Sequence, residues 1–259
     1  MALIGDVTTL LCLMFIIQMI KSTNQARSTQ LIQLPDGFIT CKRSDPLVNK
    51  CIQKALQSGV PRVLKGYPNL DVVPIDPLYI TEMDIEQTKG PFVFKLSLKD
   101  MNIFNFGSVK ILSIKSDIDK YLFNLNVEFS QPLILDSNYK INGKAIILPI
   151  NGEGKSNLTL EDVKASIDVK GRPVAKNGQN HMDLEILDIK FTSNRLYINF
   201  ENLFNGDKYM GNNMNKYLNK NWKMILNQVQ PSFEVTLGNK LQSIAQAFFT
   251  KVPYNTLFK

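Results

Sequence analysis

Apolar side chains recur every three or four residues through the C-terminal part of the chain: Leu218, Trp222, Ile225, Val229, Phe233, Leu237, Leu241, Ile244 and Phe248. This is the period of one stripe on a helix. Met224, Leu226 and Ala245 widen the stripe, while Asn219, Lys223, Asn227, Gln230, Asn239, Gln242 and Gln246 make most of the remaining surface polar. The stretch from Asp207 to Lys251 therefore predicts a helical rod of roughly 60 Å at about 1.5 Å of rise per residue. Pro231 lies inside the stripe and removes one backbone donor, so it is expected to kink the rod or split it.

From Phe92 onward the period falls to two. Phe92, Phe94, Leu96 and Leu98 alternate with Val93, Lys95 and Ser97; Tyr121, Phe123, Leu125, Val127 and Phe129 alternate with Leu122, Asn124, Asn126 and Glu128. Further strands are expected around Val109 to Ile114, Tyr139 to Ile150, Leu158 to Val169, Met182 to Phe191 and Arg195 to Phe200. Turn chemistry marks Gln131-Pro132, Asp136-Ser137-Asn138, Gly152-Glu153-Gly154, Gly171-Arg172-Pro173 and Asn177-Gly178. With no crossover helices between them, these strands read as an antiparallel meander with one apolar face to cover. Upstream, Asp45 and Pro46 signal the start of a short helix whose apolar face carries Val48, Ile52 and Leu56, limited by Gly59 and Pro61. The fold class is therefore α+β: a long kinked C-terminal helix wrapped by a strongly curved antiparallel sheet, plus a short N-terminal helix. The alternative is a small sandwich beside a separate helical hairpin, but no glycine-serine or charged linker marks such a boundary.

The chain has 259 residues, 44% of them apolar, enough to bury one large core. Its net charge of +7 is spread along the sequence without basic clusters, which argues against a nucleic-acid partner. An apolar run from Leu10 to Ile20 has the length of a secretory signal and is too short to span a bilayer comfortably, although Asp6 stands where a basic start is expected. The expected organisation is a signal peptide over residues 1–26 and one domain over 27–259, an uncleaved anchor being the rival reading. Cys12 would leave with the signal, so Cys41 and Cys51 remain as an even pair suited to a disulfide in an extracellular compartment, with free thiols as the alternative. Asn157, with Leu158 and Thr159, makes the one glycosylation sequon, which needs an exposed loop to be used.

Residues for catalysis are scarce. His181 is the only histidine, and its strand-like setting favours a structural or surface role over a catalytic one. Gly154-Lys155-Ser156 resembles part of a phosphate loop, but Pro149 stands where the first glycine of that motif belongs. One histidine and a cysteine pair suited to a disulfide leave little for zinc, so neither a metal nor another cofactor is expected. What remains is a surplus of apolar surface, including fifteen phenylalanines, on a sheet and helix that curve around each other. Such a tube either closes to a solid core or leaves a channel for an elongated apolar ligand, in which a buried hydroxyl such as Tyr121 or Tyr139 would serve as polar anchor. Leu98, Phe104, Phe106, Phe123, Leu125, Trp222, Ile225, Phe233 and Phe248 are the expected wall, with Ile52 and Leu56 near one mouth.

Three stretches resemble the insect juvenile-hormone-binding and takeout family. They are Cys41 to Cys51 with Asp76-Pro77-Leu78-Tyr79; Asn105-Phe106-Gly107 leading into Ile111 to Ile114; and Phe204 to Gly211 running into Asn215, Leu218, Asn221 and Trp222 and closing at Val252-Pro253 and Leu257-Phe258. The resemblance covers nearly the whole mature chain. It implies a secreted, tubular lipid-binding domain that carries a hydrophobic molecule, such as a terpenoid or a fatty acid, without changing it chemically. Juvenile hormone carriers of this family have a second cysteine pair that is missing here after Cys51, which places the chain nearer the takeout-like branch associated with circadian and feeding physiology. A secreted protein acting through its surface on a receptor or membrane, with no ligand cavity, is the alternative.

Overall fold

The computed structural model describes residue 34 and residues 37–145 and 148–259; the expected signal segment lies outside the described residues. Among the described residues, nine strands form two antiparallel sheets: β1 (Leu78–Gln87), β2 (Phe92–Phe104), β5 (Leu133–Ala145), β6 (Leu148–Glu161) and β9 (Arg195–Phe200) in the order β1-β2-β5-β6-β9, and β3 (Val109–Asp117), β4 (Leu122–Phe129), β7 (Lys164–Lys176) and β8 (Gln179–Thr192) in the order β3-β4-β7-β8. The pairing is thus not a simple meander. Consecutive hairpins are dealt alternately to the two sheets, and the chain turns from one to the other through Asn105, held at φ 71°, and the short helical turn Phe106–Ser108.

The described residues also form four α-helices: α1 (Val48–Val63), α2 (Lys208–Lys220), α3 (Trp222–Lys251) and the single turn α4 (Tyr254–Leu257). The α+β architecture is the one expected, but the interruption in the C-terminal rod falls at Asn221, not at Pro231. Asn221 turns its side-chain amide back onto the Tyr217 carbonyl at 2.9 Å, competing with the helix for its last acceptors. Pro231 and Asn227, whose carbonyl loses its usual donor, are both exposed, so water can take the missing bond and α3 runs on unbroken. Asp207 caps α2 by accepting from the Met210 N–H at 2.9 Å. At α1 the cap expected from Asp45 is displaced: its carboxylate accepts from Leu47 N–H, and the helix begins at Val48 and continues through Gly59 and Pro61.

Three segments expected to be turns lie inside long strands. Asp136-Ser137-Asn138 is in β5, Gly152-Glu153-Gly154 in β6 and Gly171-Arg172-Pro173 in β7, the last at a register shift. The β6 glycines serve close approach: a Cβ on Gly152 would stand 2.9 Å from Leu203 Cα, and one on Gly154 2.9 Å from the Glu201 carbonyl. Asn177-Gly178, both at positive φ, is a hairpin turn as expected.

The polar residues of the helices do not all face water. They finish the edges of the sheets. On α1, Gln53 donates to the Ile111 and Leu112 carbonyls of β3, and Gln57 accepts from Ile111 N–H while donating to Val109 O. On α2, Asn215 and Asn219 each both donate to and accept from one β9 residue, Phe200 and Ile198. On α3, Gln230 and Glu234 take the carbonyl and N–H of Phe191 in β8, and Gln242 and Gln246 do the same for Leu184. Midway, Gly238 lets the helix lie close to β8: a Cβ there would meet the Leu187 carbonyl at 2.8 Å. Three of the four sheet edges are thus paired by amide or carboxylate side chains set four residues apart, which removes the open-edge hazard of a strand.

Candidate functional site

α3 touches β8 of the four-stranded sheet and β1 and β9, the two outer strands of the five-stranded one. A sheet whose opposite edges reach the same helix must curve around it. Buried apolar residues separate into two clusters. The larger lies within the five-stranded sheet and under α2 and α3; the smaller joins Ile52 of α1, Ile114 and Ile118, Tyr121, Met182 and Leu184 to the C-terminal Tyr254 and Phe258. The Cys41–Cys51 disulfide, with Cα atoms 5.9 Å apart, ties the incoming chain to α1 beside this smaller cluster. Cys41 also pairs with the C-terminal tail, donating to Leu257 O at 2.9 Å and accepting from Lys259 N–H at 2.9 Å.

The larger cluster is hollow. A cavity of about 60 Å³ lies between the inner face of the sheet and the helices. Phe92, Phe94 and Leu96 of β2, Leu135 and Ile141 of β5, and Leu158 and Leu160 of β6 form one wall. Leu196, Ile198 and Phe200 of β9 and Phe191 of β8 close its sides, and Leu218, Ile225, Leu226, Val229 and Phe233 form the helical roof. Among the described residues, Lys144 is the only lining residue that is not apolar. Room for several waters, in a wall without polar partners, is space that favours an apolar occupant. A larger depression of about 470 Å³ lies on the four-stranded sheet, but it is open and bears Lys115, Asp117, Asp168 and Lys170, charges that remain solvated.

Of the positions expected to meet a ligand, Ile225 and Phe233 line this cavity. Leu98 and Tyr139 belong to the same cluster, and Phe106, Trp222 and Phe248 pack against it. Ile52 and Tyr121 lie in the smaller cluster with Phe123 and Leu125 packed beside them; Phe104 is half-buried and Leu56 is exposed. The structure therefore gathers these positions into two groups. The strongest alternation in the sequence, in β4, belongs to the four-stranded sheet, and nothing in a period of two tells which sheet a strand joins. The lining side chains of β5, β6 and β9 carry the same alternation, but Gly152, Gly154 and Ser156 interrupt it in β6.

The two tyrosines considered as anchors are both engaged. Tyr139 donates to the Glu201 carbonyl at 2.6 Å, and burial, followed by the charge of Glu201, pushes its phenol up to about 12. Tyr121 accepts from Asn180 Nδ2 at 2.5 Å and stacks on Tyr254 at 4.4 Å between ring centres. His181 is buried with Nδ1 3.0 Å from the Phe249 carbonyl, where it pins the end of α3 to β8. Gly154-Lys155-Ser156 is mid-strand, with no loop to cradle a phosphate. Asn157 is exposed but lies within β6, between Asp136 of β5 and Asn199 of β9, and its amide donates to Asp136 at 2.6 Å; the sequon is therefore on a strand and not on a loop. Among the described residues no helix is long and apolar enough to cross a membrane, and no cluster of metal-binding side chains occurs.

A long helix is half-enclosed by a curved antiparallel sheet, with an apolar hollow between them. The chain belongs to the haemolymph juvenile hormone binding protein family, whose model matches residues 10–259. It is 27% identical over 235 residues to the circadian clock-controlled protein daywake of Drosophila melanogaster, covering 87% of this chain and 88% of the relative. A putative beta-carotene-binding protein of Schistocerca gregaria is 19% identical over 223 residues, covering 86% and 88%. The fold matches the crystal structure of Epiphyas postvittana Takeout 1 with a TM-score of 0.75 at 22% identity, over 85% of this chain and 99% of that one.

Proposed function

We propose that this protein is a secreted, takeout-like carrier that sequesters an elongated hydrophobic small molecule inside the five-stranded sheet and performs no chemistry on it. The carrying observation is the hollow itself, enclosed by two walls and lined by apolar side chains save Lys144. Family membership supports a terpenoid such as juvenile hormone as the cargo, and the name of the Drosophila melanogaster relative supports a place in circadian physiology. The ligand contacts would be the cavity lining together with the neighbouring positions of the larger cluster. At 60 Å³ the cavity is smaller than the roughly 150 Å³ that takes up benzene in an engineered core. A long cargo must therefore part the walls as it enters. The remainder of the proposal is a leader over residues 1–26 that is removed, a single domain over 27–259, extracellular fluid such as haemolymph as the compartment, and sugar on Asn157.

Native mass spectrometry of the protein from secreting cells, with organic extraction of the same sample, tests this. Recovery of a long apolar molecule in stoichiometric amount is expected. Protein that arrives empty, and that takes up neither long-chain hydrocarbons nor fatty acids from vesicles, would sink the proposal and favour action through the surface.

A further inference from the structure

We propose that a pair of serine hydroxyls in the inner wall, Ser137 and Ser156, is the polar anchor of the ligand site. It selects an apolar chain bearing a neutral oxygen function, hydroxyl or carbonyl, away from its ends. The inference rests on the carrier reading above and narrows the cargo it implies.

Inward-facing residues of β5 and β6 stand opposite one another as rungs: Leu133 with Leu160, Leu135 with Leu158, Ser137 with Ser156, Tyr139 with Gly154 and Ile141 with Gly152. Leu135 and Leu158 line the cavity on one side of the serine rung, and Ile141 lines it on the other. Phe200, opposite Ser156 on β9, also lines it. Neither serine lines the cavity itself; their rung lies between lining rungs, about 7 Å from the leucine rung at two residues of strand rise, and comes within reach when an entering chain parts the walls. Both are buried, at 6% and 3% exposure, and their oxygens are 2.7 Å apart.

This pair has spare bonding capacity. Two hydroxyls offer two protons and four lone pairs. The short bond between them uses one of each, and the second proton has only the Ser137 carbonyl at 3.4 Å. A ligand carbonyl can accept that proton, and a ligand hydroxyl can donate to the free lone pairs. Two apolar side chains of the same size would serve a closed core as well, because a buried neutral hydrogen bond adds little net stability. The inward positions of β5 and β6 carry no charged residue, so a carboxylate drawn to the pair would be buried without a counter-ion.

The test is a competition. Mature protein is equilibrated with vesicles doped equally with nonadecan-10-one, nonadecane and stearate, and the bound molecules are extracted and quantified against their vesicle content. Wild type is expected to enrich the mid-chain ketone over the alkane roughly two- to tenfold, the range of one neutral hydrogen bond. In Ser137→Ala/Ser156→Ala the enrichment over alkane disappears while alkane loading persists. Ser156→Cys, which keeps the size and weakens the hydrogen bonding, reduces it and serves if the double variant does not fold. Equal loading of ketone and alkane by wild type, or enrichment that survives in the variants, would overturn the anchor and leave the carrier intact. Failure of wild type to take up any of the three would overturn both.

Discussion

α3 meets the two sheets in opposite ways. Along β8 it is fastened by Gln230, Glu234, Gln242 and Gln246, which satisfy backbone groups of Phe191 and Leu184, and Gly238 brings the two elements into close contact. Toward the five-stranded sheet, among the described residues, α3 makes no hydrogen bond at all; it meets that sheet through Ile225, Leu226, Val229 and Phe233 over the cavity. Directional bonds fix one distance, whereas apolar contact tolerates a range of them. The same helix is therefore a fixed hinge on one flank and an adjustable roof on the other, which is what a narrow cavity needs if it is to admit a long guest.

The sharpest way to break this comparison is at the fastened flank. Glu234 is 6% exposed; it accepts from the buried Phe191 N–H at 3.2 Å and from Gln230 at 2.8 Å, with Lys190 at 3.0 Å on its other oxygen. Glu234→Ala leaves the buried Phe191 N–H without an acceptor, while Gln230 keeps its bond to the Phe191 carbonyl; one buried orphan costs about 1–3 kcal/mol, so unfolding in urea should shift by about that much. The ligand preference of the protein that remains folded should be unchanged. A stability within about 0.5 kcal/mol of wild type would mean the flank is not fastened through this residue.

The roof should answer in the reverse sense. Val229 lines the cavity and is buried. Val229→Phe puts added volume into existing space, so stability should change by less than about 1.5 kcal/mol while uptake of a long chain from vesicles is lost. Loss of stability without loss of uptake would reverse the roles assigned to the two flanks.

These flanks also mark how far the sequence could be read. The stripe from Leu218 to Phe248 announces the helix, and alternation in β2 and β4 announces one-faced strands, because burial on one side imposes those periods directly. Strand partners are another matter. β2 pairs with β5 and β4 with β7, contacts set by the three-dimensional path of the hairpins, so Phe123 and Phe92 look alike in sequence yet face different clusters. The amide seam was written in plain view as Asn215 and Asn219, Gln230 and Glu234, Gln242 and Gln246, each four residues apart. A polar residue on a helix has the same one-letter appearance whether it meets water or a strand edge. The regular spacing was the signal available, and Gly238 in the same row was its confirmation. Likewise Ser137 looks like turn chemistry until its register places it on an inward rung.

A smaller effect compares the two clusters through their buried phenols. Burial, with the charge of Glu201, raises Tyr139 to about 12 from an ordinary value of 10.0; burial, with Tyr121 alongside, also raises Tyr254, against the opposing influence of Arg43. In both cases the fold favours the neutral phenol. Their contribution to stability is complete below pH 10, where the unfolded chain also keeps its protons, and is lost as the pH rises from there through the folded values. Urea midpoints measured from pH 9 to 12 should therefore fall, and Tyr139→Phe and Tyr254→Phe should each flatten the decline. Lysines titrate in the same range, so the differences between variant and wild type carry the information, not the absolute slope. If only Tyr254→Phe flattens it, the ring of Tyr139 reaches solvent when the chain is folded, and the wall beside the serine pair is more open than the smaller cluster around the disulfide.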